Sequence, residues 1–155
     1  MNIIDIAKNV LLLESNILKE SINSIDVKFE EAINIILCTK GKLIVTGVGK
    51  SGLVGSKIAA TLASTGTSSF FLHPTEAMHG DLGMIGKEDA ILAISYSGES
   101  EELISILPHI KRNGIKIIGM ASREDSSLGR LSDAFINISV SKEACPLNVA
   151  PTSYT

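Results

Sequence analysis

Two short segments of this chain carry residue types suited to holding a phosphate. Gly47-Val48-Gly49-Lys50-Ser51-Gly52 supplies small residues, a cation and a hydroxyl, and Ser95-Tyr96-Ser97-Gly98-Glu99-Ser100 supplies three serine hydroxyls. Each lies between an apolar, strand-like run and a helix-like run. In a parallel sheet such turns emerge at the same end, where backbone amides, helix dipoles and hydroxyls converge on one anion.

The glycines at 47, 49 and 52 formally satisfy G-x-G-x-x-G. A dinucleotide fold also expects an acidic residue about 20 positions on, at the end of the next strand, and here that strand ends Phe71-Leu72-His73. Lys50-Ser51 imitates the end of a P-loop, but the earlier glycine of that motif falls on Ile44. The remaining reading is a monophosphate cradle formed by Gly49, Ser51, Ser95, Ser97 and Ser100, with Ser97 capping as the plain structural alternative. Lys50, a cation where the helix dipole disfavours one, is best explained by a phosphate or a developing oxyanion.

Further groups fall at the same sheet end. Glu99 and Glu102 occupy the start of a helix; favourable dipole pairing accounts for Glu99, while Glu102 can reach past a bound phosphate toward a sugar. Glu143, in the loop after the last strand, is a candidate base. His79 is given a hydrogen-bonding or proton-transfer role. A metal held by His73, His79 and Asp81 lacks any ligand spacing to specify it, so no metal is expected. His109 belongs to a surface helix.

The elements that must position these groups follow from hydrophobic periodicity. Ile3, Ile6, Val10, Leu13, Ile17 and Leu18 recur at helical spacing, and Phe29, Ile33, Ile36 and Leu37 repeat the pattern after a capping Asp26. Residues 1–40 therefore read as two helices, suited to packing on their own sheet or on another subunit. From residue 41 onward, strand-like runs at 43–48, 68–72, 90–95, 115–121 and 135–140 alternate with helical runs at 51–64, 75–79, 99–112 and 126–131. Near-continuous apolar strands alternating with helices predict an α/β class: five parallel strands covered on both faces, doubly wound. Pro108 sits inside one helical run, where it can introduce a kink.

The 155 residues suffice for one domain with an aliphatic core, with 45% apolar and 4% aromatic content. A net charge of -3 without a basic tract excludes a nucleic-acid footprint. The charges that interrupt residues 1–25 fit neither a signal peptide nor a membrane span, so the expected compartment is the cytoplasm. Cys38 and Cys145 have no metal or disulfide spacing and read as unpaired thiols, Cys38 in the core.

Together with Ala63-Ser64-Thr65-Gly66-Thr67, His73-Pro74, His79-Gly80-Asp81-Leu82-Gly83-Met84, Lys142-Glu143-Ala144-Cys145-Pro146-Leu147 and Ala150-Pro151-Thr152-Ser153, the two turns identify a family. From about residue 42 to 153 the chain resembles the sugar isomerase (SIS) domain of bacterial D-arabinose 5-phosphate isomerases. The resemblance implies interconversion of D-ribulose 5-phosphate and D-arabinose 5-phosphate, feeding Kdo for lipopolysaccharide or capsule, by a tetramer that needs no organic cofactor. The positions matching the family's functional ones are Lys50, Glu102 and Glu143, with His79 a further candidate and turn 95–100 as phosphate clamp. Either glutamate suits the proton shuttle and Lys50 the electrostatic partner. Tyr96 stands where the family often has Asn. Full-length members continue into a helix, a His-Pro-Gly-Gly stretch and often CBS domains, so residues 1–155 are expected to form a single, C-terminally truncated SIS domain. The alternatives are a non-catalytic sugar-phosphate-binding module and an isomerase of another phosphosugar.

Overall fold

A computed structural model describes residues 2–145 and 153 of the chain. Residues 146–152, which complete one quoted motif and form most of the next, lie outside the described residues.

The core is a five-stranded, fully parallel sheet in the order β2-β1-β3-β4-β5. The strands are β1 (Leu43–Gly47), β2 (Ser69–Phe71), β3 (Ala90–Ile94), β4 (Lys116–Ala121) and β5 (Ala134–Asn137). Every residue of β1 and β3 is buried, because helices cover both faces of the sheet. Side-chain alternation still divides the core in two. Ile44, Ile91, Ala93 and Ile117 face one layer, containing α4 (Pro74–Met78), α5 (Glu101–Arg112) and α6 (Ser127–Leu131). Leu43, Val45, Leu92, Ile94 and Ile118 face the other, containing α2 (Val27–Cys38) and α3 (Gly49–Ser64).

The amphipathic α5 inserts Leu103, Ile106, Leu107 and Ile110, all buried, and continues past the exposed Pro108 to its end at Arg112. Each such side chain contributes about 1.5–3 kcal/mol of burial, enough to fix the helix to the sheet. Two short 3₁₀ segments, Ile22–Ser24 and Asp81–Met84, were not legible in the periodicity.

The first helix, α1 (Ile3–Ser21), opens with a capping box between Asn2 and Asp5. Its apolar stripe is only partly used: Ile17 is buried, while Ile3, Ile4, Leu11, Leu12 and Leu18 are exposed. Cys38 corrects an expectation, since it is exposed rather than in the core. The buried stripe of α2 runs through Ala32 with Ile35 and Ile36 against it, and Leu37 and Cys38 turn away from that stripe at the end of the helix.

Candidate active site

The chain reverses direction across the sheet between β1 and β3. The connection through α3 returns to β2 on one side, and those through α5 and α6 step to β4 and β5 on the other. Such a switch point opens a crevice at the carboxyl ends of the two strands. Gly47 pairs with Ile94, so the two turns predicted to hold phosphate leave the sheet side by side. The approach is tight: a Cβ at Gly47 would lie 2.9 Å from the Ile94 carbonyl oxygen, and one at Gly52 would lie 2.7 Å from the Gly47 carbonyl oxygen. Glycine at 47 and 52 lets α3 start directly against β1. Gly49 has φ of 59° and open space around its missing side chain. It serves the backbone turn rather than a close contact.

The caps separate these two helices from the rest. Asn2 caps α1, Asp26 caps α2, His73 caps α4 and Ser126 caps α6, each accepting a backbone N–H with its side chain. Among the described residues no side chain caps α3 or α5, the two helices whose N-termini meet at the switch point. Orphan amides at a helix start are normally met by a cap, by water or by a ligand. Here the residue at the N-cap position of α3 is Val48, which has no acceptor, and that of α5 is Ser100, whose Oγ instead pairs with Ser95 Oγ at 2.8 Å.

The serines occupy distinct places. Ser95 is buried, and its Oγ accepts the Gly98 N–H at 3.2 Å. Ser97 is exposed and accepts the Glu99 N–H at 3.2 Å, a bond within the turn rather than a helix cap. Ser51 lies half-buried in the first turn of α3. Lys50 and Glu102 are each the second residue of their helix and are exposed. Lys50 makes no ion pair among the described residues. It shares a cavity of about 570 Å³ with Gly49, Gly52, Leu53, Ser56, Phe71 and His73.

Glu143 is half-buried, and its Oε1 accepts the N–H groups of Ala144 at 2.8 Å and Ser153 at 2.7 Å. These bonds fasten one carboxylate oxygen and leave the carboxylate oriented by the backbone. His79 is exposed at the C-terminal end of α4. His73 accepts the Thr75 N–H through Nδ1 at 3.2 Å, a cap rather than a ligand geometry, and no three-residue metal cluster occurs among the described residues.

Glu99 corrects a second expectation. It precedes α5, and its carboxylate accepts the Ser127 N–H of α6 at 2.9 Å instead of pairing with its own helix. The Ser127 hydroxyl and amide, then Arg130 and Arg123, hold its pKa below the ordinary carboxylate range. Thr46, which the sequence did not single out, lies one residue before the first turn with a buried hydroxyl that finds no partner among the described residues.

Residues 35–155 match the SIS domain. The chain belongs to the SIS domain family. Over its whole length it is 48% identical to arabinose 5-phosphate isomerase KdsD of Pseudomonas aeruginosa, covering 48% of that protein. Over 92% of its length it is 53% identical to arabinose 5-phosphate isomerase KdsD of Francisella tularensis, covering 45% of that protein. The SIS chain thus spans about half the length of the curated relatives it matches. Among solved structures, E. coli CFT073 c3406 in complex with arabinose 5-phosphate superposes with a TM-score of 0.91 at 41% identity, covering 99% of this chain and 83% of that one. The five-stranded parallel sheet flanked by helices is the SIS fold, in agreement with the alternation of apolar strands and helices and with the family resemblance.

Proposed function

We propose that this SIS chain is an aldose-ketose isomerase unit that interconverts D-arabinose 5-phosphate and D-ribulose 5-phosphate. The observation that carries the reading is the pair of uncapped helix N-termini at the switch point, flanked by Ser51, Ser95, Ser97 and Ser100. Two sets of unclaimed amides and the positive ends of two helix dipoles suit a phosphate dianion. The names of the relatives supply the sugar.

With the phosphate held there, the other end of a pentose extends over the helix starts that carry Lys50 and Glu102. In the aldose-to-ketose direction a carboxylate removes the proton from C2, and the electron pair forms the C1–C2 double bond of an enediolate. The protonated base, whose proton exchanges with solvent during the lifetime of the enediolate, delivers a proton to C1 while the hydroxyl proton moves from O2 to O1, so no redox partner is needed. The Lys50 ammonium stabilises the enediolate oxygen. The base is assigned to Glu143, oriented by two backbone N–H groups, or to Glu102, in the first turn of α5. His79 assists proton movement between the oxygens. The reaction would run in the cytoplasm, where sugar phosphates are held, and would supply Kdo synthesis.

The exposed Leu11, Leu12, Leu18, Ile22, Ile25 and Val27 along the first two helices and the segment that joins them support assembly with further copies, and we take the assembly to be a tetramer.

Glu143→Gln and Glu102→Gln separate the two bases. The variant lacking the shuttle loses turnover while its affinity for D-arabinose 5-phosphate stays within about threefold, the pattern of a group used only in the transition state. Full turnover in both variants, or parallel loss of turnover and affinity in both, would contradict the mechanism. Binding without turnover by the unaltered chain would favour a sugar-phosphate-binding module.

A further inference from the structure

The anion-binding turn is not held by its own helix alone. Residues 122–128, between β4 and the start of α6, grip it at successive positions. The Tyr96 carbonyl accepts the Ser122 N–H at 2.9 Å and the Ser122 hydroxyl at 2.7 Å. The Gly98 carbonyl accepts the Leu128 N–H at 3.0 Å. The Glu99 carboxylate then accepts the Ser127 N–H at 2.9 Å, and Arg130 Nη2 donates to Ser127 Oγ at 3.1 Å behind it. The Glu99 side chain therefore reaches out of the turn to the neighbouring helix.

Its orientation also answers an electrostatic problem. Glu99, Glu101 and Glu102 place three carboxylates within four residues at the spot where a dianion would bind. A free carboxylate beside that site would oppose binding. The Glu99 charge is directed away from the turn, onto the amide that opens α6 and toward two arginines.

We propose that Glu99 is a positioning residue for the phosphate site: by clipping the turn to the start of α6 it sets the arrangement in which Ser97, Ser100 and the α5 amides meet the ligand. This rests on the anion-site reading above and adds a residue that does not itself touch the ligand. Substrate orientation depends on sub-ångström placement of such turns, so loss of the clip weakens phosphate binding more than it slows the bound sugar.

The test compares Glu99→Ala, Glu99→Gln and Ser127→Pro in the 155-residue chain. Gln keeps an oxygen that accepts the Ser127 N–H but removes the charge; Ala removes both. Ser127 is the first residue of α6 and follows an extended Ser126 (φ -68°, ψ 166°), so proline there deletes the donor N–H in a position that tolerates it. Affinity is read with inorganic phosphate and with D-arabinose 5-phosphate, and kcat and KM are read separately. The expected result is about tenfold weaker binding of both ligands, with kcat within about threefold, in Glu99→Ala and in Ser127→Pro. Their effects should not add in the double variant, because each removes the same bond. Glu99→Gln should bind within about threefold of the unaltered chain.

Equal weakening in Ala and Gln would assign the effect to charge and overturn the clip. Unchanged affinity in Glu99→Ala and Ser127→Pro would overturn it as well, even if both variants melted earlier. Failure of the unaltered chain to bind phosphate would remove the anion site itself, and that outcome is told apart because it requires no variant.

Discussion

An alanine at Gly98 has nowhere to place its methyl group. Gly98 adopts φ of 70°, and a Cβ built there would lie 2.2 Å from Ser126 Oγ and 2.5 Å from Ser126 Cβ. Ser126 cannot easily yield, since it is fully buried and its hydroxyl accepts the Gly129 N–H at 3.2 Å as the cap of α6. The left-handed backbone costs an alanine about 1–2 kcal/mol, and forcing a methyl into a filled site costs about 1–3 kcal/mol more. Gly98→Ala should thus lose about 2–5 kcal/mol, lowering Tm by roughly 4–20 °C for a chain of this size. Phosphate affinity should fall with it, because relief requires the turn to move away from α6. A double-mutant cycle with Ser126→Gly isolates the steric part: removing the obstructing side chain should restore about 1–3 kcal/mol and leave the backbone penalty in place. Thermal melts and phosphate titrations of the four proteins read both quantities. A Gly98→Ala protein melting within about 2 °C of the parent, or a cycle with no coupling, would refute the reasoning.

Lys50→Met should lower kcat by about 10²–10³ while phosphate affinity changes little, as expected of a group that stabilises the developing oxyanion; a rise in KM with kcat unchanged would make Lys50 a phosphate ligand instead. Thr46→Val exchanges a buried, unpartnered hydroxyl for a methyl of the same shape and should stabilise the fold by about 1 kcal/mol, seen as a rise in Tm of about 2–4 °C. A loss of stability would show that the hydroxyl has a partner. Glu99 is more acidic in the folded chain than when unfolded, so its contribution is present above the ordinary glutamate range, near pH 4.3, and is lost as pH falls through the lower folded value. The stability advantage of the unaltered chain over Glu99→Gln should therefore shrink on acidification below about pH 4.3, measured by denaturation across that window.

The features legible in the sequence were those written in local order. Five apolar runs separated by helical periodicity are enough for a parallel sheet, and a glycine- or serine-rich turn after a strand marks the ligand end. What the sequence concealed depends on partners far away in the chain. Glu99 reads as a first-turn acid of its own helix, whereas its carboxylate is claimed by Ser127, 28 residues on. Cys38 reads as a core thiol because its neighbours Ile35 and Ile36 are apolar, yet its position on the helix turns it outward. The uncapped starts of α3 and α5 were half visible: Val48 offers no acceptor, but the diversion of the Ser100 hydroxyl to Ser95 is a tertiary fact. Lys50 and Glu102 stand out in the sequence because each lies close to a ligand-facing turn at the start of a helical run, and the structure makes each the second residue of its helix. Thr46 carries no signal in the sequence, because a threonine in a β-strand ordinarily needs no explanation.

The central claim, that a phosphate held between two bare helix starts presents a sugar for enediol chemistry, is tested most directly by an NMR time course of the 155-residue chain with D-arabinose 5-phosphate in deuterated water. The account predicts D-ribulose 5-phosphate with deuterium entering at C1, the signature of a carbon-bound proton taken up by a base and exchanged with solvent. The absence of both ketose and deuterium incorporation, in a folded chain that binds the sugar phosphate, would contradict it.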